Sequence, residues 1–141
     1  SNSKDPINVC VGKEWYRFPS NFFLPSERFQ LRFVKSGFGG QLPKPFAKEN
    51  GTSRIPTGFN NLNKEEVDRY VDITDCDYMV DFDLPHQEED HYCLDSDTWT
   101  TLAMLPFLDA EHSTSPFYRA FYFPGSSDLH NTYGQYCLLK R

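Results

Sequence analysis

Phe29-Gln30-Leu31-Arg32-Phe33-Val34 alternates apolar and polar side chains until its last step. A period of two puts Phe29, Leu31 and Phe33 on one face and Gln30 and Arg32 on the other, the pattern of a half-buried strand. Upstream, Ile7 to Val11 is a short apolar run ended by Gly12, as expected of a buried strand entering a turn. Downstream, Cys76, Tyr78, Val80 and Phe82 alternate with Asp77, Met79, Asp81 and Asp83, and Pro85 soon follows. Met79 implies that the second face of this strand is partly covered. Residues 117–123 are nearly all apolar apart from Arg119 and read as a central strand. A linker rich in Gly, Ser and Asp separates them from residues 133–139, so the last two strands are expected to form a hairpin.

Between these runs the sequence predicts short helices. In residues 13–25, Trp15, Phe18 and Phe22 have helical spacing, but Pro19 breaks a continuous helix, leaving a loop and then a short helix with Pro19 near its first turn. Asn63 and the acids after it predict a helix of about two turns over 63–69. Ser96 or Asp97 is expected to cap a third helix, with Trp99, Leu102, Ala103 and Leu105 as its apolar stripe and Pro106 as its end. Residues 37–59 are punctuated by Gly and Pro and read as a long excursion of the kind used for docking or function. Residues 86–97 are polar and acidic, hence a surface loop. The sum is one layered α/β or α+β domain on a mixed sheet of about five strands with short helices. Residues 1–3 read as a stub left by tag removal and 4–141 as the domain, the natural chain being expected to begin upstream.

A chain of 141 residues can bury one core without staples, and 16% aromatic with 24% charged residues favours a packed globule over disorder. No apolar run approaches the ~20 residues that cross a bilayer. Charge is unevenly spread. Residues 70–118 hold 12 acids and no Lys or Arg, within a total of 20 acidic and 14 basic residues. Such a block repels phosphate backbones, and the basic remainder forms no stripe, so nucleic acid is not an expected partner. Cys10, Cys76, Cys93 and Cys137 lack the CxxC spacing of a structural zinc site. They permit one disulfide, without indicating which pair, and the domain is not expected to depend on it.

Chemistry-bearing motifs are sparse. Of three Asp-x-Asp triplets, Asp81-Asp83 ends an apolar strand, where nucleotide-sugar transferases hold a divalent cation against a diphosphate. Triplets arise easily in so acidic a stretch, and the reading retained is a solvated acidic strand edge with no metal. Nothing in the sequence pairs His86, His91, His112 and His130. Asn50-Gly51-Thr52 is an N-glycosylation acceptor in an expected surface loop.

Residues 9–25 (VCVGKEWYRFPSNFFLP), with 40–46 (GQLPKPF), 78–83 (YMVDFD), 106–110 (PFLDA) and 119–124 (RAFYFP), carry a further signal. In order and across nearly the whole chain, they resemble the C-terminal region of the dolichyl-phosphate-mannose-dependent α-1,2-mannosyltransferases of glycosyltransferase family 22. The resemblance implies a multi-pass enzyme of the endoplasmic-reticulum membrane, with this domain facing the lumen. That enzyme adds mannose to the dolichol-linked oligosaccharide used in asparagine-linked glycosylation. The family's acidic catalytic loops lie near its N-terminal membrane helices and match nothing here. No catalytic residue is therefore carried over, no cofactor or metal is invoked, and the fragment alone is expected to be inactive.

The implied partners are the membrane-embedded catalytic half and the lipid-linked oligosaccharide. Lys13, Glu14, Trp15, Tyr16 and Arg17 are the candidate contacts, since Trp and Tyr stack on sugar faces while Arg and Glu bind hydroxyls. The competing reading places Trp15, Phe18 and Phe22 in the core. Exposed aromatics are expected to cluster in 13–17 and 37–59. The rival functions are a stand-alone carbohydrate-binding module and a metal-dependent nucleotide-sugar transferase built on the Asp-x-Asp pair.

Overall fold

Ile7–Val11 forms strand β1 and Phe29–Phe33 forms β2; they pair in parallel, Ile7 opposite Phe29 through Val11 opposite Phe33. Both strands stand where the apolar patterns placed them, β2 stopping one residue short of Val34. The computed structural model describes residues 5–13, 21–37, 39–47, 49–55, 57–58 and 60–141. These fall into two compact units, Ser1–Cys76 and Asp77–Arg141.

In the first unit Val9, Cys10, Val11, Phe33, Val34 and Leu42 are buried. Cys10 is bonded to Cys76, and beside it the Asn8 side chain donates to the Asp75 carbonyl at 2.8 Å. The Val71 N–H donates to the Phe33 carbonyl at 2.8 Å, so the chain near Tyr70 bridges to the end of β2. The helix expected around Pro19 falls on residues 14–20, outside the described residues; the next three, Asn21–Phe23, make a single 3-10 turn. Phe22, weighed above as core, is 88% exposed. Among its described residues the 37–59 excursion is as irregular as its composition implies, with one 3-10 turn at Gly51–Ser53.

The helix expected over 63–69 shrinks to a 3-10 turn, Val67–Arg69. Asn63 adopts a left-handed φ of 50° and accepts the Gln41 N–H at 2.9 Å, so its side chain ties the excursion instead of capping a helix. Asn60 takes the local capping role, accepting from the N–H groups of Leu62 and Lys64 at 3.0 Å each. Val67 is exposed, which leaves the segment no apolar stripe to bury, and short helices without one are marginal.

The second unit is built on β5 (Thr132–Lys140), which pairs antiparallel with β3 (Tyr78–Asp83) on one side and β4 (Thr100–Asp109) on the other. Strand β4 occupies the place of an expected helix. Trp99, Leu102, Ala103 and Leu105 have helical spacing, yet the Asp95 side chain accepts the N–H groups of Asp97 and Thr98, and the turn it makes leads directly into Thr100 and Thr101. Consecutive β-branched threonines favour a strand there, and a register shift between Thr101 and Ala103 explains why simple alternation is lost. Trp99 is buried beneath the Arg141 guanidinium, 4.8 Å from the ring centroid. Pro106 is tolerated because β4 is an edge strand.

The second correction is the reverse. Residues 117–123, read as a central strand, form the short helix α1 (Pro116–Ala120) and the turn after it, with α2 (Ser126–His130) following. Proline at the first helical turn is the start signal that the apolar run concealed. Thus β4, not 117–123, is the hairpin partner of the last strand. Pairing is parallel between β1 and β2 in the first unit and antiparallel around β5 in the second, with short helices; this is the expected α/β or α+β class.

Two further expectations are overturned. Asp81 and Asp83 are buried and form no solvated edge; Asp83 accepts the Cys93 N–H at 3.0 Å, so an interior donor satisfies it. Cys93, the one buried residue of the 3-10 turn Tyr92–Leu94, is bonded to Cys137, so the surface loop over 86–97 is pinned to β5. Two disulfides use all four cysteines, where one was allowed for.

Candidate functional site

Of the candidate contact residues, Lys13 is described and is only 4% exposed; Glu14, Trp15, Tyr16 and Arg17 lie outside the described residues. The 37–59 excursion does present apolar side chains, with Phe46 and Ile55 exposed while Leu42 turns inward. Asn50 is exposed on the same excursion and precedes the Gly51–Ser53 turn in a left-handed conformation, φ 53°.

A larger group of exposed aromatics lies in a stretch that the sequence reading assigned to the interior. Phe117, Phe121, Tyr122 and Phe123 are 53%, 58%, 64% and 45% exposed. They are ordered from beneath. The Ser127 hydroxyl is completely buried, accepts the Phe123 N–H at 2.7 Å and donates to the Phe121 carbonyl. The Asn131 side chain donates to the Tyr118 carbonyl at 3.0 Å. Phe117 stacks on Phe123 with centroids 5.5 Å apart, and Tyr118 stacks on His130 at 4.3 Å. The result is a plate of rings held by the buried Ser127 hydroxyl and the half-buried Asn131 side chain, with much of its surface open to solvent. Contiguous apolar surface of this kind marks interaction sites.

The histidines, unpaired in the sequence, are brought into contacts. His112 Nδ1 lies 2.7 Å from Asp109 Oδ2, and the His86 ring sits 4.3 Å from that of His112. Asp109 Oδ1 also accepts the backbone N–H groups of Glu111 and His112, while the Ser113 hydroxyl donates to the Asp109 carbonyl and accepts the Thr132 N–H. Burial pushes the Asp109 carboxyl up, but the N–H and imidazole of His112 and the N–H of Glu111 outweigh it and hold the carboxyl below its usual range. The arrangement locks the turn after β4. A carboxyl whose pKa is depressed by folding contributes stability that is complete above its unfolded value near ~3.9 and lost as pH falls through the folded value. Asp109→Ala is expected to cost about 2 kcal/mol at neutral pH. The variant's loss of melting temperature below pH 4 should be shallower than that of the wild type, which a pH series of thermal melts measures. Parallel acid limbs for the two proteins would show that the carboxyl does not carry this linkage.

Among the described residues, no group of three or more His, Cys, Asp or Glu side chains is placed to hold a metal ion. The buried state of Asp81 also removes the open carboxylate pair that a nucleotide-sugar transferase would present. No helix among the described residues is long and apolar enough to cross a membrane.

No family model matches the chain, and no solved structure does. Its similarity is to curated proteins. It is 50% identical over 138 residues to the alpha-1,2-mannosyltransferase ALG9 of Mus musculus, covering 96% of this chain and 22% of that protein. With the Homo sapiens protein of the same name the identity is 51%, with the same coverage. With the alpha-1,2-mannosyltransferase ALG9 of Saccharomyces cerevisiae it is 40% over 125 residues, covering 84% of this chain and 22% of the relative. Over nearly its whole length the chain is therefore homologous to a segment of these alpha-1,2-mannosyltransferases, and it spans about a fifth of the length of the curated relatives it matches.

Proposed function

We propose that this homologue of a mannosyltransferase segment is the lumenal, C-terminal, non-catalytic domain of an endoplasmic-reticulum membrane enzyme. That enzyme adds α-1,2-linked mannose from dolichyl-phosphate mannose to the dolichol-linked oligosaccharide of asparagine-linked glycosylation. The observation that carries the reading is the match at 50% identity over 96% of the chain to a protein named for that linkage. Two disulfides support the lumenal address, because such bonds persist in oxidising compartments and are rare where thiols are kept reduced.

The domain works by packing and positioning. Its exposed ring plate around Phe117 and Phe121 supplies surface suited to the membrane-embedded half, and the excursion over 37–59 supplies a second face toward that half or the oligosaccharide acceptor. The four fifths of the relatives' length outside the match is where the donor site and the catalytic acids of the enzyme are to be sought.

The test compares three proteins for transfer from dolichyl-phosphate mannose to the lipid-linked acceptor: the isolated domain, the full-length enzyme, and the enzyme carrying Phe117→Ser and Phe121→Ser. The domain alone should show no turnover. The double variant should lose about tenfold or more in activity, an interface effect of roughly 1.4 kcal/mol or above. The same substitutions should leave the melting temperature of the domain nearly unchanged, since both rings are more than half exposed. Turnover by the domain alone would overturn the non-catalytic assignment, and full activity of the double variant would overturn the docking role of the plate.

A further inference from the structure

The 37–59 excursion carries one feature that the packing role does not use. Asn50 occupies the position before the Gly51–Ser53 turn where an Asn side chain ordinarily caps, yet it makes no side-chain capping bond. The turn is closed by the backbone instead, Ser53 N–H donating to the Asn50 carbonyl at 2.9 Å. The Asn50 carboxamide is not needed to hold the local fold, and the residue is exposed. Gly51 packs closely against Phe46, where a Cβ would stand 3.0 Å from the Phe46 Cβ and the phenylalanine would have to give by a few tenths of an ångström. The residue between Asn50 and Thr52 thus adds no bulk over the acceptor nitrogen. Phe46 is 77% exposed beside this turn, so an attached sugar would find an aromatic surface to cover.

We propose that Asn50 is an N-glycan acceptor, resting on the lumenal address argued above. The co-substrate is a lipid-diphosphate oligosaccharide. A bond forms between Asn50 Nδ2 and the anomeric carbon of the first sugar, and the bond from that carbon to the diphosphate oxygen breaks. The lipid diphosphate leaves with the electron pair, and one amide proton passes to a base of the transferring enzyme. The glycan would cover Phe46 and the neighbouring exposed Ile55, turning an apolar stretch of the excursion into a solvated one. On this reading the part of the excursion around Asn50 stays in the lumenal solvent, and the excursion docks through its residues away from that turn.

The experiment uses the full-length membrane protein in microsomes, with and without an endoglycosidase that releases N-glycans. Mobility is compared for the wild type, Asn50→Gln, Thr52→Ala and Thr52→Ser, and the thiols are probed by alkylation under non-reducing conditions. The expected result is one glycan's shift, abolished in Asn50→Gln and Thr52→Ala and retained in Thr52→Ser, with all four cysteines blocked. Absence of the shift from a protein whose cysteines are oxidised overturns the acceptor assignment alone. Its absence together with freely alkylated cysteines overturns the lumenal address, and the acceptor assignment with it.

Discussion

Replacing Cys10 and Cys76 together by alanine is expected to destabilise the protein by about 4 kcal/mol, since in the chain-entropy account a bond closing some tens of residues removes that much freedom from the unfolded chain. The two residues are 66 apart in sequence, and both sulfurs are buried in the first unit. The Cys93–Cys137 bond spans 44 residues and predicts an effect of about the same size in the second unit. Against a total stability of roughly 5–15 kcal/mol, either loss is a large fraction. Urea denaturation of Cys10→Ala/Cys76→Ala and of Cys93→Ala/Cys137→Ala should show both midpoints far below that of the wild type. Reduction of the native protein should reproduce the combined effect. A loss of unfolding free energy under about 1 kcal/mol would mean that packing alone holds the buried cysteine pairs together.

This expectation reverses the inference from chain length, which held that a domain of 141 residues need not depend on a disulfide. The reason for the reversal is visible in what is left outside the core. Leu102, Met104 and Leu105 on β4, Phe117 on α1, Phe121 and Phe123 after it, and Phe22, Phe46 and Ile55 are all exposed, so much of a rich aromatic and aliphatic content contributes little to folding by burial. Those exposed side chains are also what a domain with a large partner would show. Exposed apolar residues and covalent staples are two sides of one arrangement: surface withheld from the core has to be offset by something, and two cross-links do so without occupying a face.

Sequence patterns located β1, β2, β3 and β5 because each is a short run whose period is unambiguous and whose ends carry Gly, Pro or polar residues. They failed where two periods were both available. Trp99, Leu102 and Leu105 satisfy a helical stripe, and only the Asp95 turn and the bulge at Thr101 reveal a strand. The run over 117–123 offers no alternation, so its length and apolarity read as a central strand until Pro116 is taken as a helix start. The ring plate was missed with that strand, because apolar residues were assigned to an interior that the topology never gave them. Asp109 was quoted within a motif but carried no role, since the backbone amides and imidazole that define its function are visible only once the turn after β4 is folded. The Asn50-Gly51-Thr52 motif, by contrast, is legible from three residues, and the structure adds the exposure of Asn50 and its lack of a side-chain capping bond.

Gly134→Ala is expected to cost about 3 kcal/mol, through backbone crowding in the second unit. Gly134 is buried on β5, beside the point where β3 ends. A Cβ added there would stand 2.2 Å from the Asp83 carbonyl oxygen, 3.1 Å from its carbonyl carbon and 2.8 Å from Leu84 Cδ2. The leucine methyl can swing away, but the carbonyl belongs to a strand held on both sides of its register, Asp83 opposite Gln135 and Phe82 opposite Tyr136. Moving it would also disturb the Asp83 side chain, which accepts the Cys93 N–H and so anchors the turn that carries the second disulfide. The variant should therefore lower the melting temperature and, unlike a simple overpacked core, make Cys93–Cys137 more easily reduced, because the Tyr92–Leu94 turn loses its fixed partner. Thermal melts combined with a titration of dithiothreitol against free-thiol release read both effects. Gly134→Ala melting within a degree of the wild type would show that β3 and β5 can separate locally, and the close approach at Asp83 would then be dispensable to the fold.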